Sequence, residues 1–521
     1  MRETNGARVC VPVCVRRAGE LRQSIERAAE VADIIELRLD CLEAHQLDAA
    51  RAQLSTLLGA TRLPFIITYR PQEQGGRLPL SMEERAAFWR GAPLWLRDVL
   101  GRERAFADLE LDLLESPHAA SLGELFARFQ IICSHHDFQR TPSDLERIFE
   151  RMARTHADIL KIAVRADSIT DCVEVMRLLE RGRRESREII AVSMGEAGLL
   201  TRVLAPAFGA FLTYGSLEHM QATAPGQVAA RDLHGLYRIN EISARTLITG
   251  LVGSPTLHSL SPHMHNAAFA SHGLDAVYLP LEVEDLSAFV RRMADPRTRE
   301  LAWNLCGLSI TAPHKQTIIP YLDRVAPNVS RIGAVNTVVI THADGLKGFN
   351  TDADASVVPL AGLVELRGAR VAVIGAGGAA RALLWKLAEL DARATVFARD
   401  AERGRKVAAE FDAATAAPLD GAHFKGFDVV INATPLGTRG TRETEMPAVA
   451  AQLRGARVAY DLVYNPSETL FMREAREAGC RTIGGLGMLV AQAEEQFRLW
   501  TGVEPPPGVM LSAAERAVAR D

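Results

Sequence analysis

At 521 residues the chain is longer than one hydrophobic core normally holds, which predicts two or three domains. A hydrophobic content of 48% and a net charge of −4 give no electrostatic footprint for nucleic acid or a membrane surface, and no apolar run is long enough to span a bilayer. The opening MRETNGARVCVPV lacks the charged, apolar and small-residue succession of a signal peptide, so the cytoplasm is the expected compartment. Seven cysteines without CxxC pairs read as reduced thiols, with Cys10 and Cys14 as core packing, and no His/Cys cluster has the spacing of a metal site.

Over the first 220 or so residues, apolar runs recur at 9–15, 33–39, 64–68, 106–111, 130–134, 159–164, 189–193 and 211–213, with helical stretches between them. Eight strands alternating with helices predict a parallel α/β barrel, whose chemistry sits at the strands' C-terminal ends. Glu36, Arg38, Arg70, Glu110, His136 and Arg202 all fall near or just beyond such ends. Lys161 interrupts ILKIAV inside a strand and must point into the barrel, where desolvation disfavours the ammonium and leaves some amine free to attack a ketone. The competing reading is a structural ion pair with a carboxylate such as Glu36, disfavoured because burying a pair is costly. His136, in SHHDF on the preceding strand, is a candidate proton shuttle; a capping or core histidine is the alternative.

ELRLD (36–40), TYRP (68–71), SHHDF (134–138), ADILKIAV (157–164), SMGEAGLLTR (193–202) and TAPGQ (223–227) resemble type I 3-dehydroquinate dehydratase in order and spacing. The resemblance implies that Lys161 forms a Schiff base with the substrate ketone. It makes His136 the group that removes the neighbouring C–H proton and protonates the departing hydroxyl, with Glu36 orienting the histidine. Arg202 would hold the substrate carboxylate, while Arg38, Arg70, Thr223 and Gln227 serve the ring hydroxyls and the loop over the site. Two positions depart from the family pattern: Gln74 stands where Glu is usual before Gly75 and Gly76, with Glu73 one position early, and Thr223 stands where Ser is usual. Both lie in closing loops and bear on lid contacts and rate rather than on reaction type.

Near Asn240 the periodicity blurs into a short, partly helical connector. A strand, loop and helix follow in LITGLVGSPTLHSLSPHMHNAAF, where Ser259 and Ser261 can cap the helix or hold a carboxylate. GLSITAPHKQ predicts a strand ending at Thr311 and a helix from Pro313, with Lys315 opposing the dipole in its first turn. GAVNTV and GFNTDADA contribute Asn336 and Asp352; Asn350, Thr351 and Asp352 can also simply cap the next helix. VAVIGAGGAAR (371–381) is a strand, a glycine turn and a helix of dinucleotide-binding type: Gly375 permits the reversal, Gly377 lets backbone approach a pyrophosphate, and Ala380 replaces the third glycine. The second strand, 394–398, ends at Arg399, which favours NADP over NAD, although Asp400 leaves NAD open.

With INATPLGT (431–438), YDLVYNP (460–466) and GGLGMLVAQA (484–493), this ordered set resembles shikimate dehydrogenase. The resemblance implies that Ser259, Ser261, Thr311, Asn336, Tyr464 and Gln492 grip the substrate, and that Lys315 and Asp352 move the proton as hydride moves. It assigns the cofactor to Gly375, Ala376, Gly377, Gly378 and Ala379, to Arg399 and Arg403, and to Thr434 and Gly485. Ala398 replaces the family's asparagine before Arg399. The expected architecture is an N-terminal (β/α)8 barrel over 1–238, then a substrate lobe over 246–355 completed by 486–521, and a Rossmann domain over 356–485. The expected function is dehydration of 3-dehydroquinate followed by NADPH-dependent reduction of 3-dehydroshikimate to shikimate. NAD-linked quinate dehydrogenation and a non-catalytic quinate-responsive regulator are the rivals; the regulator predicts loss of Lys161, His136, Lys315 and Asp352, all of which are present.

Overall fold

The computed structural model describes residues 6–96, 101–218, 224–412, 414–440 and 442–519. Its first part carries eight strands: β1 (Val9–Val13), β2 (Ile34–Arg38), β3 (Phe65–Thr68), β4 (Ala105–Glu110), β5 (Gln130–Asp137), β6 (Ile159–Arg165), β7 (Glu188–Met194) and β8 (Thr213–Tyr214). They lie in the order β7-β6-β5-β4-β3-β2-β1-β8. Just ahead of β8, the N–H of Phe211 donates to the carbonyl of Ile189 in β7 at 2.8 Å, which brings the sheet round upon itself. The runs are apolar because both faces of such strands are covered, one by helices and the other by the barrel interior.

Side chains alternate along a strand, so residues two apart share a face. Cys10, Ile34, Ile66, Phe106, Ile132, Ile159 and Ile190 form one interior layer, with Phe211, Leu212 and Tyr214. Two residues further along five of these strands stand Glu36, Thr68, Asp108, Ser134 and Lys161, all buried. Two further again come Arg38, Arg70, Glu110 and His136. The barrel is thus floored with hydrocarbon and filled above it with charge.

One expectation about the cysteines is corrected. Cys14 and Cys41 form a disulfide, their Cα atoms 5.4 Å apart, while Cys10, Cys133, Cys172, Cys306 and Cys480 are free. Cys14 lies one residue past β1 and Cys41 three past β2, and these neighbouring parallel strands deliver both side chains to the same end. A pairing made by strand adjacency leaves no CxxC mark in the sequence.

After β8 come a helix, Ala230–Gly235, and a short turn, Ile239–Glu241. By contact the chain divides into two units, the second beginning at Ile248; segments 280–293 and 298–304 group with the first. A mixed sheet of β9 (Leu247–Gly253), β10 (Ala276–Glu282), β11 (Leu305–Ile310), β12 (Arg324–Val325), β13 (Thr337–Thr341) and β14 (Gly345–Phe349) runs in the order β10-β9-β11-β13-β14-β12. The predicted helix from Pro313 is absent, and residues 312–318 form successive turns. The Lys315 carbonyl accepts the N–H of Val335 at 2.7 Å, which removes it from any i→i+4 ladder. The helix-dipole argument for Lys315 falls with that helix.

A second, wholly parallel sheet joins β15 (Arg370–Ile374), β16 (Arg393–Ala398), β17 (Ala414–Pro418), β18 (Val429–Asn432), β19 (Val458–Asp461) and β20 (Arg481–Ile483) in the order β17-β16-β15-β18-β19-β20. Alternate residues of β15 serve opposite faces: Val371 and Val373 pack with Leu383, Leu384 and Leu387 of helix Gly378–Glu389, whereas Ala372 and Ile374 pack with Phe424 and Phe471. The order reverses between β15 and β18, and that switch point opens a crevice at the strands' carboxyl ends, the ligand position of doubly wound sheets. Phe106→Ala opens a cavity in the barrel's apolar layer and is expected to cost about 3–5 kcal/mol, read as a lower denaturant midpoint for barrel unfolding.

Candidate active sites

Glu36, Arg38, Arg70, His136, Lys161, Arg202 and Gln227 line one barrel cavity. Thr223 lies outside the described residues. The structure brings Lys161 and His136 together as expected, but it surrounds them differently. Lys161 Nζ donates to Asp108 Oδ2 at 2.7 Å and to Glu36 Oε1 at 3.4 Å, and it sits 4.5 Å from the centre of the Tyr214 ring. The ion pair that the sequence argument disfavours is therefore present, and its main partner is Asp108 rather than Glu36. Burial alone would raise the Asp108 carboxyl; Arg70 and Lys161 hold it down at about 2.

Arg70 is the joint of this cluster. Its guanidinium lies 2.7 Å from Asp108 Oδ2, donates to Ser134 Oγ at 3.3 Å, and stands 2.6 and 2.7 Å from the two ring nitrogens of His136. Glu36 accepts from Thr68 Oγ1 at 2.8 Å as well as from Lys161, while Arg70 lies against the His136 ring. The Gln74 side chain accepts the backbone N–H of His136 at 3.0 Å and ties the closing loop to the histidine strand. Burial, then the charges of Arg70, Lys161 and Arg38, keep the imidazole well below its ordinary range, so it is a neutral base at physiological pH.

Two arginines of the cavity differ in their counter-charges. Arg38 makes a bidentate pair with Asp40, at 2.9 and 2.8 Å, and donates to the Gly75 carbonyl at 3.2 Å. Arg202 donates to the Pro225 carbonyl at 3.2 Å, and its buried Nε has no hydrogen-bond partner among the described residues. Burial pushes Arg202 down to about 10, as expected of a guanidinium waiting for an anion. Behind Arg70, burial and the neighbouring Asp108 push Glu110 up to about 7, even with Arg85 3.1 Å away.

In the second unit an open cleft is lined by Ser259, Ser261, Thr311, Lys315, Asn336 and Asp352, and equally by Tyr464 and Gln492. Lys315 Nζ pairs with Asp352 Oδ2. Asn336 Nδ2 donates to Asp352 Oδ1 at 2.8 Å and to Thr351 Oγ1 at 2.9 Å, which fixes the carboxylate and leaves its other oxygen to the lysine. Gln496, which sequence reasoning missed, supports this from behind, donating to the Asn336 carbonyl at 3.2 Å and to Thr337 Oγ1 at 3.1 Å while accepting from Ser309 at 2.7 Å. Its only signal was its place one helical turn after Gln492. Ser259 Oγ accepts the Ser261 N–H at 3.2 Å at the helix start, and Asn350 Oδ1 accepts the Ala353 N–H at 3.1 Å, so these two residues also take the capping roles.

The glycine turn fits a dinucleotide. Gly375 has φ +121°, a conformation that L side chains rarely adopt, and a Cβ there would meet the Ala433 carbonyl at 3.0 Å. A Cβ at Gly377 would meet nothing within 4 Å, which leaves room for a phosphate against the first-turn N–H groups of helix Gly378–Glu389. Gly377, Gly378, Ala379, Arg403, Thr434 and Gly485 line the cleft; Gly375 and Ala376 shape the turn, and Arg399 lies exposed at the end of β16. Asp400 Oδ1 accepts the N–H of Arg403 at 3.0 Å as a helix cap, so this carboxylate already has a structural partner. Asn432 Oδ1 accepts from Thr434 Oγ1 at 2.6 Å, while Asn432 Nδ2 donates to the buried Asp461 at 2.9 Å, and together they set the second cofactor loop.

The model for type I 3-dehydroquinase matches residues 9–244, and that for the shikimate dehydrogenase substrate binding domain matches 251–338. Models for shikimate/quinate 5-dehydrogenase and for the shikimate 5′-dehydrogenase C-terminal domain match 360–464 and 485–515. The chain is 33% identical to the chloroplastic bifunctional 3-dehydroquinate dehydratase/shikimate dehydrogenase of Arabidopsis thaliana, over 96% of this chain and 83% of that protein. It is 38% identical to the NADP(+) shikimate dehydrogenase of Methanothermobacter thermautotrophicus, over 54% of this chain and all (100%) of the other. A crystal structure of shikimate 5-dehydrogenase from Thermus thermophilus with NADP(H) and shikimate is 37% identical, covering 52% of this chain and 100% of that one, with a TM-score of 0.46. Since the Arabidopsis relative is matched through barrel and cleft alike, the chain belongs to the bifunctional 3-dehydroquinate dehydratase/shikimate dehydrogenase family, with NADP as its cofactor.

Proposed function

We propose that the barrel dehydrates 3-dehydroquinate through an imine at Lys161 and that the cleft reduces the resulting 3-dehydroshikimate to shikimate. The observation that carries this reading is the inward, buried Lys161 sharing one cavity with a neutral His136 and with an Arg202 that has no counter-ion among the described residues. Arg202 takes the substrate carboxylate and so aims the ketone at Lys161. His136 accepts the adjacent C–H proton. Its depressed basicity then makes the imidazolium a strong acid, suited to handing that proton to the departing hydroxyl.

In the cleft, NADPH supplies hydride when bound. Lys315 and Asp352 stand where the reacting oxygen gains or loses its proton, with Asn336 holding the carboxylate. Ser259, Ser261, Thr311, Tyr464 and Gln492 hold carboxylate and hydroxyls around that point. Arg399 and Arg403 take the 2′-phosphate; support comes from the engagement of Asp400 as a cap. The division into a barrel over 1–238, a substrate lobe over 246–355 with 486–521, and a cofactor domain over 356–485 belongs to the same proposal. So does a cytoplasmic setting. Among the described residues no helix is long and apolar enough to cross a membrane.

Supplied with 3-dehydroquinate and NADPH, the chain should oxidise the cofactor and accumulate shikimate; absence of cofactor oxidation overturns the reading. Lys161→Ala should lower dehydration at least ~1000-fold and abolish the borohydride-trapped adduct. Because His136 is held below its ordinary range, its base form persists as pH falls. The kcat/KM of dehydration should therefore stay level through about pH 6.5 and decline only below it, which a pH profile checks. Replacing Arg399 and Arg403 together by Ala should raise the KM for NADPH roughly 10- to 100-fold and leave that for NADH nearly unchanged.

A further inference from the structure

The proposed Schiff-base reading leaves one buried group without a task. Asp108 is fully enclosed on β4, and its Oδ2 lies 2.7 Å from both Lys161 Nζ and Arg70. A carboxylate so close to a nucleophilic amine looks like an obstacle, since it favours the ammonium that cannot attack. The charge balance of the whole step gives a different answer. An ammonium and a ketone condense to a protonated imine and water: the nitrogen bonds to the carbonyl carbon, and the carbonyl oxygen leaves carrying two of the three ammonium protons. The positive charge is on the same nitrogen before and after. A group built to neutralise the first state therefore neutralises the second.

We propose that Asp108 is the counter-ion of the protonated imine formed at Lys161, and thus a catalytic residue of the dehydratase site. Three features of the geometry support it. Asp108 lies on the inward face one layer above Phe106, so a rigid strand rather than a loop sets its distance from Nζ. Glu36 Oε1 is further from Nζ, at 3.4 Å, and is shared with Thr68, which makes Asp108 the nearer anion. The face of Tyr214, 4.5 Å from Nζ, adds a second surface suited to a cation that persists through the step. The positive charge is also what the elimination needs. Loss of the C–H proton sends electrons toward the imine nitrogen, and the enamine so formed returns them as hydroxide leaves with the proton from His136. Asp108 keeps the electron sink charged at both ends of that cycle.

The test uses the full chain with 3-dehydroquinate and borohydride added during turnover. Asp108→Asn keeps the shape and removes the charge. The adduct yield and the kcat of dehydration should both fall by about 100-fold, with KM changed by less than about threefold. Asp108→Glu should restore at least ~10-fold of that loss by returning a carboxylate. His136→Ala should lose dehydration while keeping the adduct, which separates loss of the imine from loss of the proton shuttle. Should Asp108→Asn unfold the barrel, comparison of Asp108→Glu with Asp108→Gln decides the matter, because these two differ only in charge. Adduct yield and kcat within about threefold of the parent in the uncharged variant overturn the inference. If that happens while Lys161→Ala is inactive, the imine reading stands and only the counter-ion falls; if Lys161→Ala still dehydrates, both fall.

Discussion

Burying charge in a barrel is permitted only if every charge finds a partner, and that constraint organises the first unit. Lys161, Asp108, Arg70, Glu110 and Arg85 form an alternating chain of cations and anions that runs from the cavity toward Asp112, the one member at the surface. Removing any single member would leave its neighbours as uncompensated ions in a low-dielectric interior, which is far more costly than losing one exposed pair. His136 is kept neutral by its burial and, after that, by the cationic stretch of this chain that it borders. Arg202 is the exception, a guanidinium left to be completed by something from outside.

The second unit solves a related problem with neutral groups. Asp352 is held by the Asn336 amide, whose oxygen accepts from Thr337 and whose backbone carbonyl accepts from Gln496, so the lysine–carboxylate pair keeps its geometry beside an open cleft. Asp461 lies deeper and is held without a cation among the described residues. Its oxygens accept from Asn432, Thr469 and the Val463 N–H, and burial still pushes it up to about 6. One carboxylate thus borders the cleft, and the other shapes the loop that carries Thr434.

Much of this was legible in the sequence because its strongest signals are local. Runs such as ILKIAV stay apolar wherever strands are covered on both faces, and a glycine turn between strand and helix has few other uses. What escaped depends on neighbours distant in the chain. Asp108 was not singled out in the sequence; only its two-residue offset from Phe106 and from Glu110 marks it as inward-facing. The bond from the Val335 N–H to the Lys315 carbonyl cancelled a helix that local propensity favoured, and the Cys14–Cys41 link follows from adjacent strands rather than from spacing. Glu36 was given to the histidine by resemblance, whereas in the fold its carboxylate accepts from Thr68 Oγ1 and lies within reach of Lys161, contacts made between side chains of different strands.

Gly378 lies at the start of the cofactor helix, and a Cβ built there would come within 3.1 and 3.2 Å of the Lys315 side chain. On the proposed reading, nucleotide recognition and proton transfer share a wall one methyl group thick. An engineer who redesigns this turn for another coenzyme inherits a steric hand on the reactive lysine, and selection for cofactor preference would be felt as a change in turnover.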